Sequence, residues 1–473
     1  MIVINNETNV PIYMQIYEQV KEQIITGQIQ GGGKLPSIRT LSVTLNVSRN
    51  TVESAYQQLS AEGYIESKPG SGFISLKLDS MEFLKSASDR LVNIKEPEEI
   101  VHRVNSDKYY KYNFRDRSIS AHDFPLHIWK KLSNKCLSSI SDENFTSYNS
   151  KSGERGLQIE LMKYLNKSRG VSCNPEQIII SSGLEYTLSL LCQLFRKDLD
   201  QIAFEDPGYI GARDIFSNNG YNVAPISLEE DGINLEELNN SSAKIVFVTP
   251  SHQFPTGAVM PIKKRLKLLD WAKRKQGIII EDDYDSEFRY DSKPIPSLQS
   301  IDSIGCVIYI GTFSKSLSPS LRINYMVLPQ SLLERYDRLF NKYRVSVSFI
   351  QQKILQQFMH QGYWDRHLRK IHLTAIRKHD LLIRTILEHM GDKVIIHGEN
   401  AGLHILMEFN NGLNEKELIE RAKKNSVLVS PVSIFWSRPD KYSNNMILLG
   451  FGGMPEGEIV EGVHALKNAL LGN

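Results

Sequence analysis

Cysteine is scarce in this chain: four residues, Cys136, Cys173, Cys192 and Cys306, none of them in a Cys-x-x-Cys pair. That excludes a disulfide framework and a cysteine-rich zinc site, and it fits a reducing compartment. Surplus charge of either sign is also lacking. Lys and Arg number 56 against 54 Asp and Glu, a formal net charge of +2, so bulk charge offers no attraction to a polyanion. No apolar run approaches the roughly 20 residues of a membrane span. The first residues, Met1-Ile2-Val3-Ile4-Asn5-Asn6, have neither the basic start nor the apolar core of a signal peptide. A Gly-x-x-x-x-Gly-Lys-Ser/Thr run is missing, which excludes a triphosphate P-loop. The expectation is a soluble cytoplasmic protein without a membrane partner. What is present is ordinary globular material, 41% hydrophobic and 23% charged over 473 residues, enough for more than one domain.

The N-terminal stretch has a distinct texture. Ile12, Ile16, Val20 and Ile24 recur every fourth residue, which predicts an amphipathic helix broken by Gly31-Gly32-Gly33. A short helix follows from Pro36-Ser37 to Leu45, then a turn at Asn46-Val47-Ser48. Ser48 is a good N-cap for a second helix running from Arg49 to about Glu62 and ended by Gly63. Tyr64–Glu66 and Gly72–Ser75 can pair as strands around the tip Lys68-Pro69-Gly70-Ser71. A helix, a helix-turn-helix and a β-wing make a winged helix over residues 1–76. Such modules set the start of the second helix in the major groove of double-stranded DNA. Ser48, Arg49, Asn50 and Thr51 stand there, Ser37 and Arg39 begin the preceding helix, and Lys68, Ser71 and Gly72 form the wing. Residues 1–78 hold six Lys/Arg and six Asp/Glu, so binding must come from placement rather than from total charge. The plainer reading is a small helical protein-interaction domain.

Residues 77–109 are charged and poorly periodic and read as a linker. From 110 to 473 strand-like runs alternate with helical patterns: Ile178–Ser181, Ile202–Phe204, Ile245–Val248, Ile278–Ile280 and Val307–Ile310. That alternation predicts an α/β domain with a mostly parallel sheet, whose ligands gather at the C-terminal strand ends. The helix Gln351–His360 and strands at Leu403–Phe409 and Met446–Phe451 predict a smaller α+β subdomain.

Chemistry-bearing residues sit just past those strands. Ser182, Gly183, Leu184 and Glu185 open a helix whose backbone N–H groups can cradle a phosphate. Tyr209, in Asp206-Pro207-Gly208-Tyr209, is either core filler or an aromatic lid on a planar ligand. His252, before Gln253-Phe254-Pro255-Thr256-Gly257, reads as a hydrogen-bonded loop residue slightly ahead of a catalytic one. Asp282 and Tyr284 belong to Glu281-Asp282-Asp283-Tyr284-Asp285, which alone reads as a solvated acidic turn or a Mg²⁺ site. Lys315 lies in Gly311-Thr312-Phe313-Ser314-Lys315-Ser316-Leu317, with Arg322 beyond it. A lysine can form a Schiff base with an aldehyde cofactor, and an acid can keep a pyridine nitrogen protonated. The spacings of His360, His367 and His372 do not make the i, i+4 pair of a helical zinc site, so no metal is expected there.

These motifs together resemble the MocR/GabR-type subfamily of GntR regulators, a winged helix joined to a fold-type-I aminotransferase-like domain that binds pyridoxal 5′-phosphate (PLP). The resemblance covers roughly residues 10–76 and 110–470 and rests on Leu35-Pro36-Ser37-Ile38-Arg39, Ser48-Arg49-Asn50-Thr51-Val52, Pro250–Pro255, Glu281–Phe288 and Gly311–Leu317. It implies that Lys315 attaches the cofactor and Asp282 pairs with its ring nitrogen. Tyr284 would bond the phenolic oxygen and Tyr209 would stack on the ring. Ser182, Gly183, Leu184, Glu185, Thr312, Ser314 and Arg322 would hold the phosphate. It also implies a homodimer, a DNA operator, and a small-molecule effector, either PLP itself or an amine or amino acid. The alternative is a working aminotransferase carrying an appended DNA module.

The chain departs from the enzymes it resembles at two places. Phe254 stands where they carry the asparagine of an Asn-Pro-Thr-Gly loop, and Leu448 stands where they carry a carboxylate-gripping arginine. A charge-assisted carboxylate contact contributes about 1.5–3 kcal/mol, so weak or absent transamination is expected. The arginines of the γ-aminobutyrate-sensing branch match Gly211 and Ile434 here, which argues against that ligand. Arg115, Arg117 and Arg438 are the remaining cations considered for the site.

Overall fold

A computed structural model describes residues 2–5, 8–77, 110–115, 118–139, 150–196, 199–290 and 295–472. The linker expected over 77–109 lies, apart from Lys77, outside the described residues, as does Arg117. The chain divides into two compact units, Met1–Lys108 and Tyr109–Asn473.

In the first unit, helix α1 (Ile12–Ile25) buries Ile16, Tyr17, Val20 and Ile24, the stripe its spacing predicts. Helix α2 (Ile38–Leu45) starts on Ser37, whose hydroxyl accepts from Thr40 N at 3.1 Å. It stops at Asn46, which takes the left-handed conformation that asparagine tolerates, φ 52°. Helix α3 (Arg49–Ala61) is capped in the same way by Ser48 on Thr51 N, 3.1 Å. Strands β1 (Ile65–Lys68) and β2 (Gly72–Ser75) form an antiparallel wing in the register Ile65 to Ser75. Leu35, Leu41, Val52, Ala55, Tyr56, Leu59 and Ile65 complete the core. Tyr56 ties wing to helices, with its ring edge-on to Phe73 at 5.0 Å and its hydroxyl donating to Pro36 O at 3.0 Å.

The second unit is built on an eight-stranded sheet. In chain order its strands are β4 (Ile178–Ser181), β5 (Gln201–Asp206), β6 (Asn222–Glu229), β7 (Gly232–Ile233), β8 (Ile245–Val248), β9 (Ile278–Asp283), β10 (Val307–Thr312) and β11 (Asn324–Val327). The spatial order is β4-β11-β10-β9-β8-β5-β6-β7. The central pairings from β10 to β6 are parallel, while β11 runs antiparallel to both neighbours. Strands β4 and β8 are buried throughout, as continuous apolar runs covered on both faces must be.

A second sheet, β12 (Val394–His397), β13 (His404–Phe409), β16 (Met446–Gly450) and β15 (Ser430–Pro431), is antiparallel. It shares a core with the helices Tyr363–Met390 and Glu456–Leu471. Strand β3 (Tyr112–Asn113) pairs in parallel with β14 (Val427–Leu428), so the chain enters this unit beside the smaller sheet. The first sheet turns the ends of β5, β9 and β10 toward one place, which is where the site lies. Strands β9 and β10 reach three and two residues further than their apolar runs suggest, so Asp282 and Thr312 are inside strands rather than after them.

Candidate cofactor site

A cavity of about 250 Å³ opens at the C-terminal ends of these strands. Its described lining includes Lys315, Asp282, Tyr284, Tyr209, Leu184, Glu185, Thr312, Ser314 and Arg322 from the sequence-derived set. Ser182 and Gly183 lie beside it rather than in that lining. Ser182 N donates to Ser346 Oγ at 2.9 Å. Gly183 has φ +95°, and a Cβ there would come within 2.3 Å of the Arg322 guanidinium. The positive φ favours glycine at the start of the helix Leu184–Phe195, and among the described residues no side chain caps that start. Arg322 pairs with Glu185. Thr312 Oγ1 accepts from Ser314 N at 3.1 Å, which folds the turn that carries Lys315.

The other wall is acidic and aromatic. Asp282 is 4% exposed. Burial pushes its carboxyl up to about 8 from an ordinary 3.8, with Asp283, Asp285, Glu205 and Glu281 adding to the rise. Glu281 is pushed up to about 7 by burial and by Asp283, although Leu298 N and Gln299 N donate to it. Asp283 is neutralised from behind. Arg169 forks onto it at 2.7 and 3.2 Å, and Tyr309 Oη donates to it at 2.6 Å. Both side chains of the Arg169–Asp283 pair are almost fully buried, 3% and 1% exposed. Asp282 and Asp285 are the carboxyls of this cluster that line the cavity, and Asp282 has no cation partner among the described residues.

That charge state gives a pH prediction. The folded chain, freed of any ligand, keeps on Asp282 a proton that the unfolded chain has released. The stability this proton contributes is whole below about pH 4 and lost by about pH 8. Asp282→Asn is expected to flatten the fall in melting temperature between pH 5 and pH 8.5. An unchanged slope would show that Asp282 titrates normally.

Several lining residues carried no assigned role in the sequence. Asn324 accepts from Thr187 Oγ1 at 2.6 Å, and its buried Nδ2 has no partner among the described residues. Thr249, Asp285, Leu403 and His404 also line the cavity. His252, read as a loop histidine, has Nδ1 at 2.8 Å from Asp285 Oδ2 and 2.9 Å from Tyr284 Oη. Nothing local marks Asn324 or Arg169, because their partners are far away in sequence. Of the other cations considered, Arg438 is engaged with Asp206 at 3.0 Å, Glu237 at 2.7 Å and Ser227 at 2.9 Å, and neither it nor Arg115 lines the cavity. His360, His367 and His372 contact Glu160, Ser316 O and Glu287 O.

In the winged helix, Arg39, Arg49, Asn50, Ser37, Ser48, Lys68, Ser71 and Gly72 are exposed and Thr51 is half-buried. Ser37 and Ser48 already serve as helix caps, so their hydroxyls are partly committed.

Comparison with known proteins agrees with both halves. Residues 119–461 match the aminotransferase class I and II family, and residues 12–74 match the bacterial regulatory proteins of the gntR family. The HTH-type transcriptional regulator YdeL of Bacillus subtilis (strain 168) is 40% identical over 98% of this chain and 98% of its own. The probable rhizopine catabolism regulatory protein MocR of Rhizobium meliloti is 32% identical over 100% of this chain and 96% of its own. The multiple substrate aminotransferase of Thermococcus profundus, a crystal structure, superposes with a TM-score of 0.69 at 26% identity, over 82% of this chain and 98% of its own.

Fold and site together define a DNA-binding transcription regulator whose large unit is a fold-type-I, aminotransferase-like domain. Its cofactor is pyridoxal 5′-phosphate. The chain belongs to the MocR/GabR-type subfamily of GntR regulators. The residues fit that cofactor. Gly183, at positive φ, opens a helix under the Arg322 guanidinium, and among the described residues Asp282 has no cation partner and Asn324 Nδ2 no acceptor. Among the described residues, no helix is long and apolar enough to cross a membrane.

Proposed function

We propose that this regulator holds PLP covalently through Lys315 Nζ and uses its occupancy, or capture of an amine, to set operator affinity. The observation that carries the reading is one cavity lined by Lys315, Asp282, Tyr209 and Arg322, in a chain that also has a winged helix. PLP supplies an aldehyde that condenses with amines and a ring that withdraws electrons. Asp282 would give its raised-pKa carboxyl to the ring nitrogen, the two sharing one proton. Tyr209 would cover the ring, and Tyr284, steadied by His252, would reach the phenolic oxygen. Ser182, the N–H groups around Gly183 to Glu185, Thr312, Ser314 and Arg322 would bind the phosphate.

Phe254 has no hydrogen to donate where an enzyme's asparagine would stand. Leu448 is fully buried and supplies no cation for a substrate carboxylate. Both support sensing over turnover. A homodimer in the cytoplasm, with two winged helices on paired half-sites, is the assembly we propose.

The test is a gel shift on the DNA upstream of the gene, titrated with PLP and a panel of amines. A PLP-dependent shift supports the reading. Steady transamination with 2-oxoglutarate at about 1 s⁻¹ or faster, with no effect on DNA, would favour the enzyme alternative. For the DNA face, Arg49→Ala is expected to weaken operator binding by about 1–3 kcal/mol if Arg49 reads a base. Unchanged retardation would remove it from the contact set.

A further inference from the structure

The far end of the cavity is unlike a site for an amino acid. Phe254 is its centre. Its ring meets Phe435 at 4.9 Å and 82°, Tyr209 at 5.9 Å and 85°, Tyr284 at 6.0 Å and 87°, and His404 at 5.3 Å. Edge-to-face walls of this kind present ring faces, which attract cations and apolar groups. Leu448, on β16 opposite Leu406 of β13, packs into the same cluster. The charged group this end contributes is Asp285, its side chain 4% exposed and joined to His252.

Among the described residues, arginines and lysines are placed elsewhere. Arg322 is the one arginine in the described lining, and it stands with Glu185 and Gly183 at the helix start. Arg438 is held by Asp206 and Glu237 outside the cavity. Arg213 donates to Ser437 Oγ and Ile434 O. A ligand carboxylate pushed to the Phe254 end would lie among Asp285, His404 and aromatic faces, desolvated and without a guanidinium among the described residues. An ammonium, hydroxyl or alkyl group meets no such penalty.

We infer that the ligand recognised beside the cofactor is a small primary amine that carries no carboxylate. The inference rests on the PLP reading above and adds the ligand's chemical class. Discrimination comes from a repulsive element, Asp285, as much as from the aromatic walls.

Two matched pairs test it in the full-length protein loaded with PLP: ethanolamine against glycine, and butylamine against γ-aminobutyrate. The readouts are the change in visible cofactor absorption and the operator gel shift. Each acid-free amine is expected to half-saturate at a concentration about tenfold or more below its acid counterpart. Asp285→Asn, which keeps the shape and removes the charge, is expected to shrink that ratio several-fold. Equal or tighter binding of glycine and γ-aminobutyrate in wild type overturns the inference, whether or not the variant folds. Silence of all four amines in a protein that shows the cofactor band also overturns it. A wild type without a cofactor band that Lys315→Ala removes would strike the PLP reading itself, and the two failures are distinct.

Discussion

Replacing Lys315 with alanine is expected to abolish the visible absorption that the protein acquires on mixing with PLP, and to let the cofactor pass away on gel filtration. Lys315 is the only lysine in the described lining of the cavity, so no second amine is placed to take over the covalent bond. The phosphate grips and Asp282 remain in the variant, so weak non-covalent binding is expected to survive. The gel shift of the variant is expected to stop responding to PLP. Identical spectra for wild type and variant would mean that the amine lies elsewhere.

Arg169→Met is expected to destabilise the large unit by about 3–5 kcal/mol, because it strands a buried carboxylate. Asp283 sits at the end of β9 next to Asp282, its side chain 1% exposed, and it receives both Arg169 and the Tyr309 hydroxyl. Arg169 also donates to Ser251 Oγ at 2.7 Å, so it ties β9 to the loop that carries His252 and Phe254. Removing the cation leaves five acidic groups, Asp282, Asp283, Asp285, Glu205 and Glu281, sharing one low-dielectric region with less compensation. Urea unfolding is the measurement. The double variant Arg169→Met, Asp283→Asn is expected to recover a substantial part of the loss, since the stranded charge is gone. A loss below about 1 kcal/mol in the single variant would place Asp283 in the range of a surface ion pair.

Much of this was readable along the chain wherever the determining residues are neighbours. The caps Ser37 and Ser48 sit three residues from the N–H groups they serve, so α2 and α3 follow from local chemistry. Lys315 stands in a run of small hydroxylated residues after an apolar strand, and that local pattern points to a cofactor lysine. The ends of β9 and β10 are hidden in the sequence because Glu281, Asp282 and Asp283 in the one, and Gly311 and Thr312 in the other, do not look like strand residues. Glu281 and Asp283 are answered by tertiary contacts, Leu298 N and Gln299 N for the first and Arg169 and Tyr309 for the second, while Asp282 is held in the sheet with its carboxyl's affinity for protons raised. Arg169 is 114 residues from Asp283, and nothing in its own segment marks it as a charge partner. The 28-residue helix Tyr363–Met390 was hidden for another reason. His367, Lys378 and His379 occupy its buried stripe, and their polarity breaks the apolar period. Strand β6 carries Pro225 and a half-buried pattern, and β11 is only four residues long, so neither announces itself.

The account turns on which amine holds the cofactor. Borohydride reduction of the PLP-loaded protein, followed by tryptic digestion and mass mapping, measures this directly. The pyridoxyl mass is predicted on one peptide, residues 290–322, left uncut after Lys315 because a modified lysine resists the protease. A tag on any other peptide, or an untagged digest from a protein that binds PLP, would contradict it.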